Sequence, residues 1–161
     1  MKIREFHAST WLPLPPEKLF PFFGDAANLD AITPPWLGFK IVTPQPFEMK
    51  IGTLIDYRLK VRGLPLRWRT RINVWDPPFR FVDEQLKGPY RLWIHEHTFK
   101  EVDGGTLASD HVRYAVPFDF LLHGTFVRPD IERIFQHRTE ALQNLFDAGQ
   151  VATHRSPAAV A

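Results

Sequence analysis

The sequence predicts a single α+β domain in which antiparallel strands pack against a long C-terminal helix. Three observations carry this prediction. The chain has 161 residues, a length that supports one hydrophobic core. Between residues 39 and 115, short apolar-rich runs alternate with clusters of Pro, Gly and Asp, which is typical of antiparallel strands. Between residues 126 and 146, apolar residues instead recur with the period of an α-helix.

The N-terminal part of the chain is predicted to contain one strand and two short helices. The run Ile3–Leu12 is extended and ends at a proline cluster. Pro16 suits the first turn of a helix, and Pro21 keeps that helix short or kinked. A second short helix is expected over Asp25–Ile32, because Asp25 is a suitable N-cap.

Six further strands are predicted in the middle of the chain, because turn-forming residues separate six extended runs. In one of them, Trp68, Ile72 and Val74 fall on one face and three arginines fall on the other. This alternation predicts a sheet with one apolar side and one solvated side. The six runs are Phe39–Thr43, Thr53–Val61, Leu66–Trp75, Phe79–Leu86, Arg91–Glu101 and Thr106–Ala115.

A long helix is predicted over Phe126–Phe146, where Pro129 is tolerated because it falls in the first turn. A helix of this length is roughly 30 Å long and can cross the whole sheet. Arg138 lies on its apolar face, so a carboxylate or carbonyl partner is expected there. The domain is expected to span residues 1–148. Residues 149–161 are small or polar and are expected to form a disordered tail.

Composition excludes several classes of function. The chain has no Cys, so disulfides, thiolate zinc sites and cysteine nucleophiles are excluded. Its formal net charge is only +2, so we expect no nucleic-acid partner. The N-terminus lacks a signal-like apolar stretch, and no apolar run reaches the roughly 18 residues of a membrane span. We therefore expect a soluble, cytoplasmic protein without stable membrane insertion.

Four segments carry a resemblance to a known family. They are FRFVDEQLKGPYRLWIHEHTF (Phe79–Phe99), GGT (Gly104–Thr106), DHVRYAVP (Asp110–Pro117) and IFQHRTEAL (Ile134–Leu142). With the predicted order of elements, the chain resembles the START-like (SRPBCC, Bet v 1-like) superfamily, and within it a ligand-binding, polyketide cyclase-like subgroup. The resemblance implies a helix-grip fold, in which a curved seven-stranded antiparallel sheet wraps around the C-terminal helix.

The resemblance also implies a cavity between the sheet and the long helix for a small hydrophobic molecule, such as a lipid or a polyketide. A curved sheet that grips one helix leaves concave space, and aromatic residues make up 14% of this chain. The alternative is that these aromatic side chains fill the core. No nucleotide-binding, serine-hydrolase or zincin motif occurs, so the expected partner is a small hydrophobic molecule and no cofactor is expected.

The main polar candidates for this space are two histidines on one strand and an aspartate on the next. His95 and His97 share a strand face. If the following hairpin closes through a two-residue Asp-Gly turn, Asp110 lies opposite His97, about 5 Å away between Cβ atoms. Whether Asp83 faces the same space is left undecided. The expected ligand-binding residues are Trp68, Ile72, Trp93, His95, His97, Phe99, Asp110, Val112 and Tyr114.

Three interpretations of this His-His-Asp group stay open. It can be a hydrogen-bonded network that fixes the strands without chemistry. It can hold the polar end of an apolar ligand, or catalyse a cyclase or dehydratase reaction on a polyketide-like carbonyl compound, with His97 as base and Asp110 as its partner. It can also supply the donors of a metal site. Because the resemblance suggests no metal, none is expected.

Overall fold

One antiparallel sheet of seven strands, in the order β1-β7-β6-β5-β4-β3-β2, organises the fold. The computed structural model describes residues 1–146, so the expected tail at residues 149–161 lies outside the described residues. Together with the C-terminal helix, the sheet confirms the predicted α+β helix-grip architecture. The strands are β1 Arg4–Leu12, β2 Lys40–Ile41, β3 Leu54–Val61, β4 Leu64–Asp76, β5 Arg80–Lys87, β6 Leu92–Val102 and β7 Gly105–Ala115.

The helical segments flank the sheet at both ends of the chain. Asp25 caps the second segment as predicted, since its side chain accepts a hydrogen bond from the N–H of Ala27 at 3.0 Å. That segment is 3-10 helical, in keeping with the use of this helix as a short connector. No helix within residues 1–146 combines the length and the apolar composition that crossing a bilayer requires. The segments are α1 Pro16–Phe23, 3-10 helices Ala26–Ile32 and Pro35–Leu37, α2 Asp119–Leu122, a π segment His123–Val127, and α3 Arg128–Phe146.

The long C-terminal helix begins earlier than the sequence predicts, because α2, the π segment and α3 follow one another without a break. Pro129 accounts for the π segment, since a proline lacks the N–H and crowds the carbonyl one turn before it. The residues that precede this segment include Phe120 and Leu121, which are exposed. They break the amphipathic period, which is why the sequence pattern indicates a start at Phe126.

Two register shifts bend the middle of the sheet. They lie between Arg69 and Thr70, and between Ile72 and Val74, in the pairing of β4 with β5. Bulges of this kind bend a strand and increase its twist. The second shift also exchanges faces, because Trp75 packs against the core instead of Val74. The prediction that Val74 shares the inner face of Ile72 is therefore wrong.

The predicted strand at Phe39–Thr43 is reduced to the two residues of β2. The N–H groups of Val42 and Thr43 both point to the carbonyl of Asp56, at 2.7 and 3.4 Å. In return, the Thr43 hydroxyl accepts the N–H of Asp56 at 2.7 Å. A side chain thus replaces a ladder hydrogen bond, and Pro44 ends the extended run.

The hairpin between β6 and β7 has the predicted two-residue turn. Asp103 and Gly104 both have positive φ, 51° and 75°, as a type I′ turn requires. This turn determines which side chains face one another across the site. The register pairs His97 with Asp110, as predicted, and it also pairs His95 with Val112 and Trp93 with Tyr114.

Candidate functional site

A cavity of about 230 Å³ lies between the sheet and α3. Ile55 and Tyr57 of β3 and Ile72 of β4 form one wall, while Ile131 and Phe135 of α3 form the opposite wall. The side chains around it are mostly apolar or aromatic. A concave apolar space with a few polar groups is the usual form of a small-molecule site.

The polar side chains of the cavity come from neighbouring strands. Asp83 of β5 and His95 and His97 of β6 line it, and Asp110 of β7 lies behind the two imidazoles. We call these four residues the His–Asp cluster. His97 Nε2 lies 2.8 Å from Asp83 Oδ2, and His95 Nε2 lies 2.7 Å from Asp110 Oδ1. Each imidazole thus has a carboxylate within hydrogen-bond distance.

Asp110 is shared between the two imidazoles. His97 Nδ1 lies 3.2 Å from Asp110 Oδ1, the same oxygen that His95 approaches. The two imidazole rings are tilted against each other with centroids 3.7 Å apart, and Phe81 stacks on His97 at 3.9 Å. Stacking and carboxylate contacts together hold both rings in place.

Arg138 of α3 brings a buried positive charge to the cluster. Its Nε lies 3.3 Å from Asp110 Oδ2, which is the kind of partner that the sequence predicts for a charge on this helix face. The contact is ionic without good hydrogen-bond geometry, since Nε has no hydrogen-bond partner. Nη2 lies 3.4 Å from His97 Nδ1. The guanidinium therefore balances Asp110 from the side of the helix.

Burial and charge pairing act in opposite directions on the pKa values of the cluster. For His95, burial and the neighbouring His97 lower the pKa despite the nearby carboxylates. For His97, burial is outweighed by hydrogen bonds to Asp110 and Asp83, which raise the pKa. Burial of Asp110 is outweighed by Arg138 and both imidazoles, which hold the carboxyl pKa well below its usual range. The two imidazoles of the cluster therefore differ in the direction in which their pKa is shifted.

Two tyrosines, the buried Tyr57 and the half-buried Tyr90, lie in the cavity wall. Burial raises the pKa of both phenols, so both stay neutral. The Tyr90 ring lies 4.6 Å from the ring of Trp93 and 5.7 Å from that of Trp68. These three rings form one aromatic wall. Sequence reasoning did not single out either tyrosine, because no local pattern distinguishes them from other core aromatics.

Five of the residues expected to bind ligand line the cavity: Trp68, Ile72, Trp93, His95 and His97. The other four expected residues do not line the cavity that residues 1–146 form. Phe99 packs in the core near α1, and Val112 and Tyr114 pack against α3. Asp110 is covered by the imidazoles. Strand alternation predicts the face on which a side chain lies, but not how far the cavity extends along the strand.

Asp83 is the member of the cluster whose orientation the sequence leaves undecided. It pairs with Ile72 on β4 and with His95 on β6, so all three side chains share the inner face. The pairing of β5 with β6 has no register shift, so it is enough to place Asp83 on the face of His95. The face on which Asp83 lies is therefore decided by the pairing of β5 with its neighbours, and the alternation within β5 alone does not show it.

Two groups within residues 1–146 bring three possible metal donors within 4.8 Å of one another. One consists of Asp83, His95 and His97 in the cavity wall. The other lies on strands β1 and β7, on the opposite and more exposed face of the sheet. It consists of Glu5, His7 and His111.

Several solved structures share this fold. The Zhui aromatase/cyclase from Streptomyces sp. R1128 superposes with a TM-score of 0.69 at 18% identity, over 93% of this chain and 100% of that one. Protein CV1439 from Chromobacterium violaceum gives 0.68 at 17% identity, over 88% and 96%. Major latex-like protein 151 from Panax ginseng gives 0.65 at 10% identity, over 89% and 97%. Identities this low show the fold alone.

A family model confirms the resemblance seen in the sequence. No curated protein sequence matches the chain significantly. The model described as "Polyketide cyclase / dehydrase and lipid transport" matches residues 12–143, from the end of β1 into α3. That span contains the cavity walls and the whole His–Asp cluster. The chain therefore belongs to the polyketide cyclase/dehydrase and lipid-transport family, which is of the START-like, SRPBCC type.

Proposed function

We propose that the protein binds a small, mainly apolar molecule in the cavity between the sheet and α3. The observation that carries this proposal is an apolar space with its hydrogen-bonding side chains gathered on neighbouring strands. Transfer of an apolar ligand from water to such walls gains roughly 25 cal/mol for each Å² removed from water. Membership of a family described by lipid transport supports the proposal.

The His–Asp cluster limits the chemistry of the ligand's polar end. Asp83 offers carboxylate oxygens, and His95 and His97 offer imidazole nitrogens, all at the cavity surface. A hydroxyl or carbonyl group can exchange hydrogen bonds with these atoms. The aromatic wall of Trp68 and Trp93 suits a flat or cyclic apolar body. The proposed ligand is therefore apolar with one oxygen-bearing end.

Binding can be tested with N-phenyl-1-naphthylamine, a neutral apolar probe whose fluorescence rises when it leaves water. Ile55 is 2% exposed and lines the cavity, whereas its neighbour Leu54 is 45% exposed on the other face of β3. Ile55→Phe narrows the cavity and is expected to weaken probe binding about tenfold or more, equivalent to about 1.4 kcal/mol. Leu54→Phe is the matched control and should bind like the wild type.

Two results would contradict the proposal. One is the absence of probe binding to the wild-type protein. The other is an equal loss of binding in Ile55→Phe and Leu54→Phe, which would place the probe on the surface. If the probe binds as expected, native mass spectrometry can identify apolar metabolites that displace it.

A second function, acid–base catalysis on a polyketide-like carbonyl compound, is favoured by two imidazoles that line the cavity and each contact a carboxylate. His97 would act as the base, with Asp110 near its other ring nitrogen. Turnover of a linear poly-β-keto thioester tests this function. His97→Gln should abolish turnover, whereas His111→Gln on the outer face should retain it. Unchanged turnover in His97→Gln would remove His97 from the mechanism.

A further inference from the structure

We propose that Asp83, His95 and His97 form a binding site for a divalent first-row transition-metal ion in the cavity wall. The sequence offers His95, His97 and Asp110 as possible metal donors, but the family resemblance suggests no metal. The position of Asp83 changes that assessment, because it brings a third donor to the two histidines. The proposed site does not depend on whether an apolar ligand occupies the cavity.

The three residues bring possible donor atoms close together. Asp83 Oδ2 lies 2.8 Å from His97 Nε2 and 3.9 Å from His95 Nδ1. Each of the three residues offers one donor atom within 4.8 Å of a donor atom of the other two. Ligands at about 2.1 Å from a metal in tetrahedral or octahedral geometry are roughly 3.0–3.4 Å apart. Small side-chain shifts therefore suffice, and the ion takes the place of the proton shared by His97 and Asp83.

The opposite ring nitrogens are held as metal-bound histidines require. Asp110 Oδ1 lies 2.7 Å from His95 Nε2 and 3.2 Å from His97 Nδ1, so one carboxylate oxygen can accept both N–H groups. A carboxylate that accepts the second N–H of a histidine orients the ring and selects the tautomer that binds metal. One side chain does this here for both ligands.

The charges around the site suit a cation. Asp83 and Asp110 contribute two carboxylates, and the facing cation, Arg138, approaches Asp110 through its other oxygen, Oδ2. Its Nη2 lies 3.4 Å from His97 Nδ1, so the guanidinium stands on the Asp110 side of this imidazole and not on the Nε2 side that faces Asp83. Two imidazoles and one carboxylate favour ions such as Zn²⁺, Co²⁺ or Fe²⁺ over Mg²⁺ and Ca²⁺. With three protein ligands, further coordination positions face the cavity.

The test must separate this site from the exposed group on β1 and β7. A variant with His7→Gln and His111→Gln removes two donors of that group and leaves the cavity unchanged. Isothermal titration with ZnCl₂ should show one bound ion per chain in this background. Titration with CoCl₂ should give visible absorption bands of nitrogen-coordinated Co²⁺, and MgCl₂ should not compete at equal concentration.

Two substitutions in the same background are expected to weaken Zn²⁺ binding to different extents. Asp110→Asn alters only the group behind the imidazoles and should weaken Zn²⁺ binding about 10- to 100-fold. His97→Gln removes a ligand and should weaken binding further than Asp110→Asn does. The metal-free melting curves of the variants show that each is folded before titration.

A measurement on the chain with both cluster histidines intact keeps the proposal falsifiable if His97→Gln does not fold. In ¹⁵N imidazole spectra, Zn²⁺ should shift Nδ1 of His95 and Nε2 of His97 but leave the opposite nitrogens protonated. The proposal is overturned if the His7→Gln, His111→Gln variant binds no Zn²⁺, or if these resonances do not move. The apolar probe is measured without metal, so failure of the proposed ligand binding would leave this result standing.

Discussion

At the scale of single residues, the hairpin that aligns Asp110 with His97 depends on two adjacent glycines for different reasons. Gly104 has φ +75°, but a Cβ there would meet no atom within 4 Å, so only the backbone conformation requires glycine. At Gly105, a Cβ would overlap the carbonyl oxygen of Leu12 and the ring of Trp11 on β1. The first glycine serves the turn, and the second serves the contact between strands.

Alanine substitutions should separate these two roles. Gly104→Ala is expected to lower the free energy of unfolding by about 1–2 kcal/mol, the cost of a left-handed conformation for a residue with a Cβ. Gly105→Ala is expected to cost about 3 kcal/mol, because the backbone of β1 must move. Urea denaturation of both variants measures the difference. Equal losses would show that β1 adjusts without cost.

At the scale of elements, α3 is joined to the sheet by one buried charge as well as by apolar contacts. Ile131 and Phe135 pack against Val112 of β7, and Arg138 reaches Asp110 on the same strand. Arg138 is 9% exposed, so little water can replace its charge. Removal of one partner from a buried ion pair leaves the other charge uncompensated.

A pair of identical substitutions on α3 tests this contact. Arg138→Leu is expected to lower the free energy of unfolding by about 3 kcal/mol, because Asp110 remains buried without its cation. Arg128→Leu removes an exposed pair with Glu132 one turn away and should change the free energy of unfolding far less, because water and salt screen exposed pairs. Guanidinium denaturation at neutral pH measures both. Similar small losses would mean that the imidazoles alone compensate Asp110.

At the scale of the whole molecule, the cavity is a cost to packing that a close-packed core would avoid. Protein interiors leave few voids, and unfilled space beside apolar side chains forfeits dispersion contacts. Here about 230 Å³ stays open between the sheet and α3. Space of this kind is expected where function requires it at the expense of stability.

The same cavity-narrowing variant should therefore gain stability while it loses binding. Ile55→Phe places extra carbon atoms in the open space and is expected to raise the free energy of unfolding by about 1 kcal/mol. Leu54→Phe, on the solvated face, should leave it within about 0.5 kcal/mol. Denaturation of the ligand-free proteins measures both changes in the free energy of unfolding. A loss of stability in Ile55→Phe would mean that the space is too narrow to accept the larger ring.

Local patterns determined the order of the elements and part of the site. The strand runs, the capping residue Asp25 and the amphipathic period of the last helix are all short-range signals, and each element exists in the structure. Alternation placed His95 and His97 on one face, and the Asp-Gly turn placed Asp110 opposite His97. These features were predictable because a two-residue turn determines the pairing of the strands that it joins.

The tertiary structure alone decided the rest. Asp83 joins the cluster because the register of β5 against β6 sets it opposite His95. Arg138 meets Asp110 because α3 crosses the sheet at this height. Phe99 stays outside the cavity because Phe20 and Phe23 of α1 pack against it. Each of these contacts joins strands or helices whose register depends on bulges and packing between distant segments, which no local sequence pattern encodes.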